Sequence, residues 1–178
     1  MTIILGIDPG SRNTGFGIVR AHANRSEYIA SGVIRVADYE FSERLKVIFE
    51  SLQSIIHQHA VESIAIEQVF VGKSANSALK LGQARGAAIT AAAVLGFSVH
   101  EYSARQIKQA AVGTGNADKQ QIQHMVKTLL KLSKAPAEDA ADALACAICH
   151  QHTQHNLLKM AGNRSGKRPS HYRQGRVR

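Results

Sequence analysis

Apolar positions fall first in short runs and then at helical spacing, and the switches between the two patterns mark the elements. Residues 3–8 (IILGID) form a run that stops at Pro9 and Gly10. Residues 14–20 (TGFGIVR) and 27–36 follow with turn residues between them, which predicts an antiparallel meander of three strands. From Ser42 onward Leu45, Ile48, Phe49, Leu52, Ile55 and Ile56 recur at i, i+3, i+4, i+7, i+10 and i+11, the apolar stripe of an amphipathic helix. A fourth strand is predicted over 63–70 (SIAIEQVF), a helix rich in Ala and Gly over 75–95 and a short strand over 97–102. Helices are predicted over 104–112, 119–132 and 137–158. The order βββαβαβααα implies an α/β domain: a mixed five-stranded sheet in which helices between later strands enforce parallel pairing and pack on the faces.

The second helix carries Ala84, Gly86, Ala87, Ala88, Ala91, Ala92 and Ala93. Such small residues let another backbone approach closely. Two neighbours fit equally: the sheet itself, or the same helix of a second copy in an isologous dimer contact.

Length and charge narrow the picture. The 178 residues suit one domain, 44% hydrophobic and 20% charged residues disfavour disorder, and the longest apolar stretch, Gly86 to Phe97, falls short of the roughly 18 residues of a membrane span. The apolar start MTIILGI meets Asp8 too early for a signal peptide, and two cysteines need no oxidising compartment, so a cytoplasmic protein is expected. The net charge is +9, unevenly spread. Residues 161–178 hold six basic residues and no acid, so one folded domain over 1–158 followed by a basic, flexible tail over 159–178 is expected. Residues 68–134 hold nine basic residues against Glu101 and Asp118, which predicts a basic face for a polyanion.

Four acids stand out against that background. Asp8 ends the first strand, where open α/β sheets place their ligands. Glu67 lies among Ile64, Ile66 and Val69, a charge in a core strand that its neighbours otherwise exclude. Asp139 and Asp142, three apart, project from one face near the start of the last helix, with Ala140, Ala141, Ala143 and Ala145 around them. Taken singly, Asp8 also fits a turn, and Glu138 and Asp139 also fit the helix macrodipole. If strands one and four are neighbours and the last helix packs over their ends, all four carboxylates converge. Two unit charges about 4 Å apart cost about 4 kcal/mol at an effective dielectric of 20, so such a cluster needs cations or shifted proton affinities. Oxygen-only ligands select hard ions such as Mg²⁺ or Mn²⁺, and a pair of them suits in-line hydrolysis of a phosphodiester.

The segments GIDPGSRNTGFG (6–17), IEQVF (66–70), NSALKLGQARG (76–86), ARQIKQ (104–109) and DAADALA (139–145) together resemble the RuvC family of bacterial Holliday junction resolvases, from residue 1 to about 158. The resemblance implies an RNase H-like fold, a homodimer, Mg²⁺ dependence with two ions per site and Mn²⁺ as a substitute, and paired symmetric nicks in a four-way DNA junction at a thymine-containing sequence. By motif position it implies catalytic and metal-binding roles for Asp8, Glu67, Asp139 and Asp142, and supporting basic roles for Lys108 and Lys119 beside the scissile phosphate. It also implies an aromatic contact to junction bases from Phe70, and the RuvA and RuvB branch-migration complex as partner. Phe70, ahead of the polar GKSAN stretch, suits stacking on an unpaired base, and Lys73, Lys80 and Arg85 suit phosphate contacts. A junction-binding module without catalysis, and a nuclease of the same fold acting on RNA, are the alternatives. The CAIC pair Cys146 and Cys149, with His150, His152 and His155 behind it, is expected to pack inside a helix, its side chains scattered round the cylinder and unable to converge on zinc. His124 could face solvent or DNA.

Overall fold

A computed structural model of the chain describes residues 1–23, 25–68 and 74–164, with side chains to residue 160. The elements are β1 (Thr2–Asp8), β2 (Asn13–Ala21), β3 (Ser26–Arg35), α1 (Phe41–Gln58), β4 (Ser63–Glu67), α2 (Ala75–Val94), β5 (Val99–Tyr102), α3 (Ala104–Val112), α4 (Lys119–Leu129) and α5 (Glu138–Arg164). They form one sheet in the order β3-β2-β1-β4-β5, antiparallel across β1–β3 and parallel from β1 through β4 to β5. This is the mixed five-stranded architecture that the hydrophobic pattern predicts.

The boundaries differ by more than one residue at four elements. α2 closes through Gly96 at φ 83, with the amide of Phe97 donating to Ala92, so Phe97 belongs to a helix cap and β5 starts only at Val99. α4 stops at Leu129 because Lys131 adopts a left-handed φ of 54, without a glycine to announce it. β4 ends at Glu67, while 69–70 lie outside the described residues. α5 runs six residues past its predicted end, so the first part of the expected tail, 159–164, is helical; Lys159, Met160, Ala161 and Arg164 are good helix formers, and Gly162 and Asn163 do not stop it.

Strand parity assigns each side chain to a layer. On β1 and β4, Leu5, Ile7, Ile64 and Ile66 face α1 and α2, packing with Ile48, Leu52, Ile56, Ala84 and Ala88. Ile4 and Ala65 face the other way, into a core with Ile107, Ile122, Val126, Leu144 and Ile148 from α3, α4 and α5. Gly6, Asp8 and Glu67 share that second parity. Gly6 lets α5 lie directly on the sheet: a Cβ there would stand 2.0 Å from the Ala143 carbonyl oxygen and 2.7 Å from the Ala147 nitrogen. Gly17, the cross-strand partner of Gly6, would likewise strike Leu144 at 2.6 Å. α5 answers with Ala140, Ala143 and Ala147, all buried. The small residues of α2 fall into two sets. Ala84, Ala88, Ala91 and Ala92 are buried in the fold, whereas Gly82 and Gly86 face open space beside Leu79 and Val94, which are 63% and 65% exposed.

Cys146 and Cys149 are buried free thiols whose ionisation is pushed up by burial, as packing residues should be. His150 is fully buried and hydrogen-bonded at both ring nitrogens. Gln154 Nε2 donates to its Nε2 at 2.9 Å, which leaves Nδ1–H to donate to the Tyr102 hydroxyl at 2.8 Å, and Ser63 Oγ joins Nε2 at 2.8 Å. Burial, reinforced by neighbouring His100, lowers its pKa from 6.5 to about 4. The unfolded chain therefore binds a proton that the folded chain refuses between those values, and this residue's contribution to stability falls as pH drops through that window. We expect the stability advantage of wild type over His150→Gln, from urea unfolding, to shrink by about 2 kcal/mol between pH 7.5 and pH 5. A constant difference would show that His150 takes up its proton in the fold as readily as in the unfolded chain.

Candidate active site

The C-terminal ends of β1 and β4 lie side by side, in register at Ile7 and Ile66, so the next residues, Asp8 and Glu67, emerge together on the α5 side of the sheet. The close seat of α5 on Gly6 and Gly17 brings the first turns of that helix, with Asp139 and Asp142, over the same end. Two further helices complete the surround. α3 starts directly after β5, capped by Ser103 in a reciprocal box with Gln106, and α4 starts at Asp118 in a second box with Gln121. These caps fix the positions from which Lys108 and Lys119 project. The result is a cleft of about 290 Å³ lined by Asp8, Glu67, Asp139, Asp142, Lys108 and Lys119, with Ala104, Ile107 and Ile122 supplying its apolar wall.

The electrostatics follow from four acids and two lysines in a half-buried space. Burial, then the charges of Glu67, Asp142 and Asp139, raises the Asp8 pKa to about 8, against the opposing pull of Lys119. Burial and Asp142 raise Glu67 to about 7, opposed by Lys108 and Lys119. Asp142 is raised as well, again chiefly by burial. Without a counter-ion all three hold their protons more tightly than ordinary carboxyls do. The donor set consists of carboxylate oxygens alone, which fits a hard divalent cation and disfavours a soft one. No three acid, His or Cys side chains among the described residues stand ready-made around a single point, so an ion would draw the carboxylates inward.

All four acids and both lysines expected at the site thus meet in one cleft. Of the remaining expected DNA contacts, Lys80 and Arg85 do not line this cleft. Lys80 is on the exposed side of α2, its ammonium 5.9 Å from the centre of the Phe41 ring. The Arg85 guanidinium is held by Glu101 at 2.7 Å, so its charge is already answered within the fold. Phe70 and Lys73 lie outside the described residues. Two features escaped the sequence reading. Glu138, there assigned only to the helix terminus, bonds Lys119. The glycines at 6, 15 and 17 are alternate-position spacers beneath α5, and their shared parity with Asp8 and Val19 is the signal that could have revealed this.

The chain has clear relatives. A family model for the crossover junction endodeoxyribonuclease RuvC matches residues 4–150, a span that includes all four acids. The crossover junction endodeoxyribonuclease RuvC of Teredinibacter turnerae is 61% identical over 183 residues, covering 99% of each chain. That of Marinobacter nauticus is 57% identical over 178 residues, covering 100% of this chain and 99% of the relative. Among solved structures, T. thermophilus RuvC in complex with a Holliday junction substrate aligns with a TM-score of 0.82 at 31% identity, over 88% of this chain and 97% of that one. The yeast mitochondrial Holliday junction resolvase Ydc2, 12% identical with a TM-score of 0.64 over 92% and 84% of the two chains, shares the fold alone.

Proposed function

The chain belongs to the RuvC family and is an RNase H-like endonuclease that resolves Holliday junctions, and we propose that Asp8, Glu67, Asp139 and Asp142 are the residues that carry the cleavage. The observation that supports this most is the meeting of those four carboxylates with two lysines at the ends of two parallel strands. Divalent metal use comes with the family; we assign the ions as two Mg²⁺, replaceable by Mn²⁺, held among the four acids. Bound there, they supply activation of water and neutralisation of charge on the leaving oxygen. The residues of the chain do the rest. The acids would hold those ions, while Lys108 and Lys119 answer the negative charge that grows on the phosphate oxygens in the transition state. The apolar wall of Ile107 and Ile122 keeps the local dielectric low, which strengthens each of these interactions.

In this reading Lys73 and Lys80 contact phosphates and Phe70 stacks on a base that the junction leaves open. The residues from 165 onward add sequence-independent affinity through five further basic groups. Paired nicks need two clefts, and the exposed face of α2 at Gly82 and Gly86 suits an isologous homodimer. RuvA and RuvB are the expected partners in branch migration. No described helix is long and apolar enough to cross a membrane. A cytoplasmic location beside the DNA fits these roles.

The reading is tested with the purified protein, Mg²⁺ and a labelled synthetic four-way DNA junction, beside linear duplex and a matched RNA junction. Symmetric nicks confined to the DNA junction are expected. Binding without nicks in any divalent ion would replace the assignment with a structural junction-binding module, and equal cutting of RNA would replace the substrate class.

A further inference from the structure

One contact at the cleft is not explained by stability. Lys119 is the first residue of α4, Glu138 the first residue of α5, and Glu138 Oε1 accepts a hydrogen bond from the Lys119 ammonium. The two side chains are 66% and 48% exposed, and an ion pair so open to water contributes little to folding. Its position is nevertheless particular. Lys119 lines the cleft, and its charge acts on Asp8, Glu67 and Asp142 together. Lysine reaches such a point on a flexible four-carbon stem with many rotamers, and nothing in an all-acid cleft selects one of four competing carboxylates for it. Glu138 does so from outside the quartet. An ammonium carries three donors, so the bond to Glu138 occupies one and leaves two for another acceptor.

Resting on the assignment of the four acids above, we infer that Glu138 is a positioning residue for junction cleavage: it holds the Lys119 ammonium at the cleft rim, with two N–H donors left for the substrate phosphate. The geometry also separates two effects. Glu138 brings an extra negative charge to the DNA-facing side, so removing it does not weaken attraction to the junction. What is lost is the placement of Lys119 when the phosphate reacts.

The test is single-turnover cleavage of a four-way DNA junction in saturating Mg²⁺ by full-length Glu138→Gln, Lys119→Ala and the double variant, with junction binding measured separately in EDTA. Glu138→Gln is expected to cut about tenfold more slowly at saturating enzyme while binding as tightly as wild type or tighter. In the Lys119→Ala background the same change is expected to cost nothing further, because the residue acts only through that lysine. Glu138→Asp, which keeps the charge, recovers part of the rate. A wild-type rate in Glu138→Gln overturns the inference, as does a loss that multiplies in full with Lys119→Ala or that tracks weakened binding. Asp8→Asn run in parallel separates the two levels. Cleavage surviving in that variant overturns the site assignment and this inference with it, whereas cleavage lost there but untouched in Glu138→Gln overturns the inference alone.

Discussion

Replacing Asp8 by Asn is expected to slow junction cleavage by at least about a thousandfold while making the metal-free protein more stable. The first effect follows from removing one of the four carboxylates proposed to hold the cation that would neutralise the reacting phosphate. That service is worth several kcal/mol, and roughly 4 kcal/mol corresponds to three orders of magnitude in rate. The second effect follows from the raised affinity of Asp8 for its proton. The unfolded chain gives up that proton near 4 and the folded chain only near 8, so above pH 4 the native state carries a penalty that grows until both forms are ionised. Asn has nearly the same shape and no charge to bury. At pH 8 in EDTA the variant should therefore gain on the order of 1 to 4 kcal/mol, several degrees in thermal midpoint, while binding the junction at least as well. Cleavage at the wild-type rate would remove Asp8 from the chemistry. A lowered midpoint would mean that its carboxylate is satisfied by something other than a cation.

Gly6→Ala should damage folding and catalysis together. The added carbon meets the Ala143 carbonyl and the Ala147 amide, both backbone of a buried helix, and neither can rotate away as a side-chain tip could. α5 must then lift from β1. Overpacking of this kind typically costs about 1 to 3 kcal/mol, and two backbone atoms place this case at or above the upper end. The helix that lifts is also the one that carries Asp139 and Asp142, while Asp8 stays on the strand beneath. A shift of about 1 Å at a catalytic group can cost a hundredfold in rate, so the molecules that remain folded should cut correspondingly slowly. Thermal unfolding and single-turnover cleavage of Gly6→Ala measure the two losses separately. An unchanged midpoint would show that the sheet and α5 have slack between them.

Much of this architecture was legible in the residues because local and global signals agree. The 3.6-residue stripe from Leu45 to Ile56 is an independent statement of α1, and Pro9 and Gly10 end β1 where the apolar run ends. The acids were legible for the opposite reason. Glu67 violates the pattern of its strand, and a violation without a function is costly. What stayed hidden depends on contacts distant in sequence. Nothing near Lys131 announces its left-handed turn, and nothing near Arg85 shows that Glu101 will reach it from β5. Glu138 meets Lys119 from 19 residues away across two helix starts, so its obvious local role at a helix terminus concealed the other. The spacing role of the glycines in β1 and β2 stayed hidden because the helix that needs them small comes more than a hundred residues later.

A cleft whose carboxyl groups keep hold of hydrogen up to about pH 8 and 7 is also an acid reservoir. A cation can seat only on ionised oxygens, so each one that enters expels protons into the surrounding buffer. Metal and hydrogen ion are therefore rivals for the same atoms, and affinity for the metal climbs with alkalinity. Mild acidity is therefore expected to weaken metal binding and to slow cleavage with it, which a titration of metal affinity against pH would read.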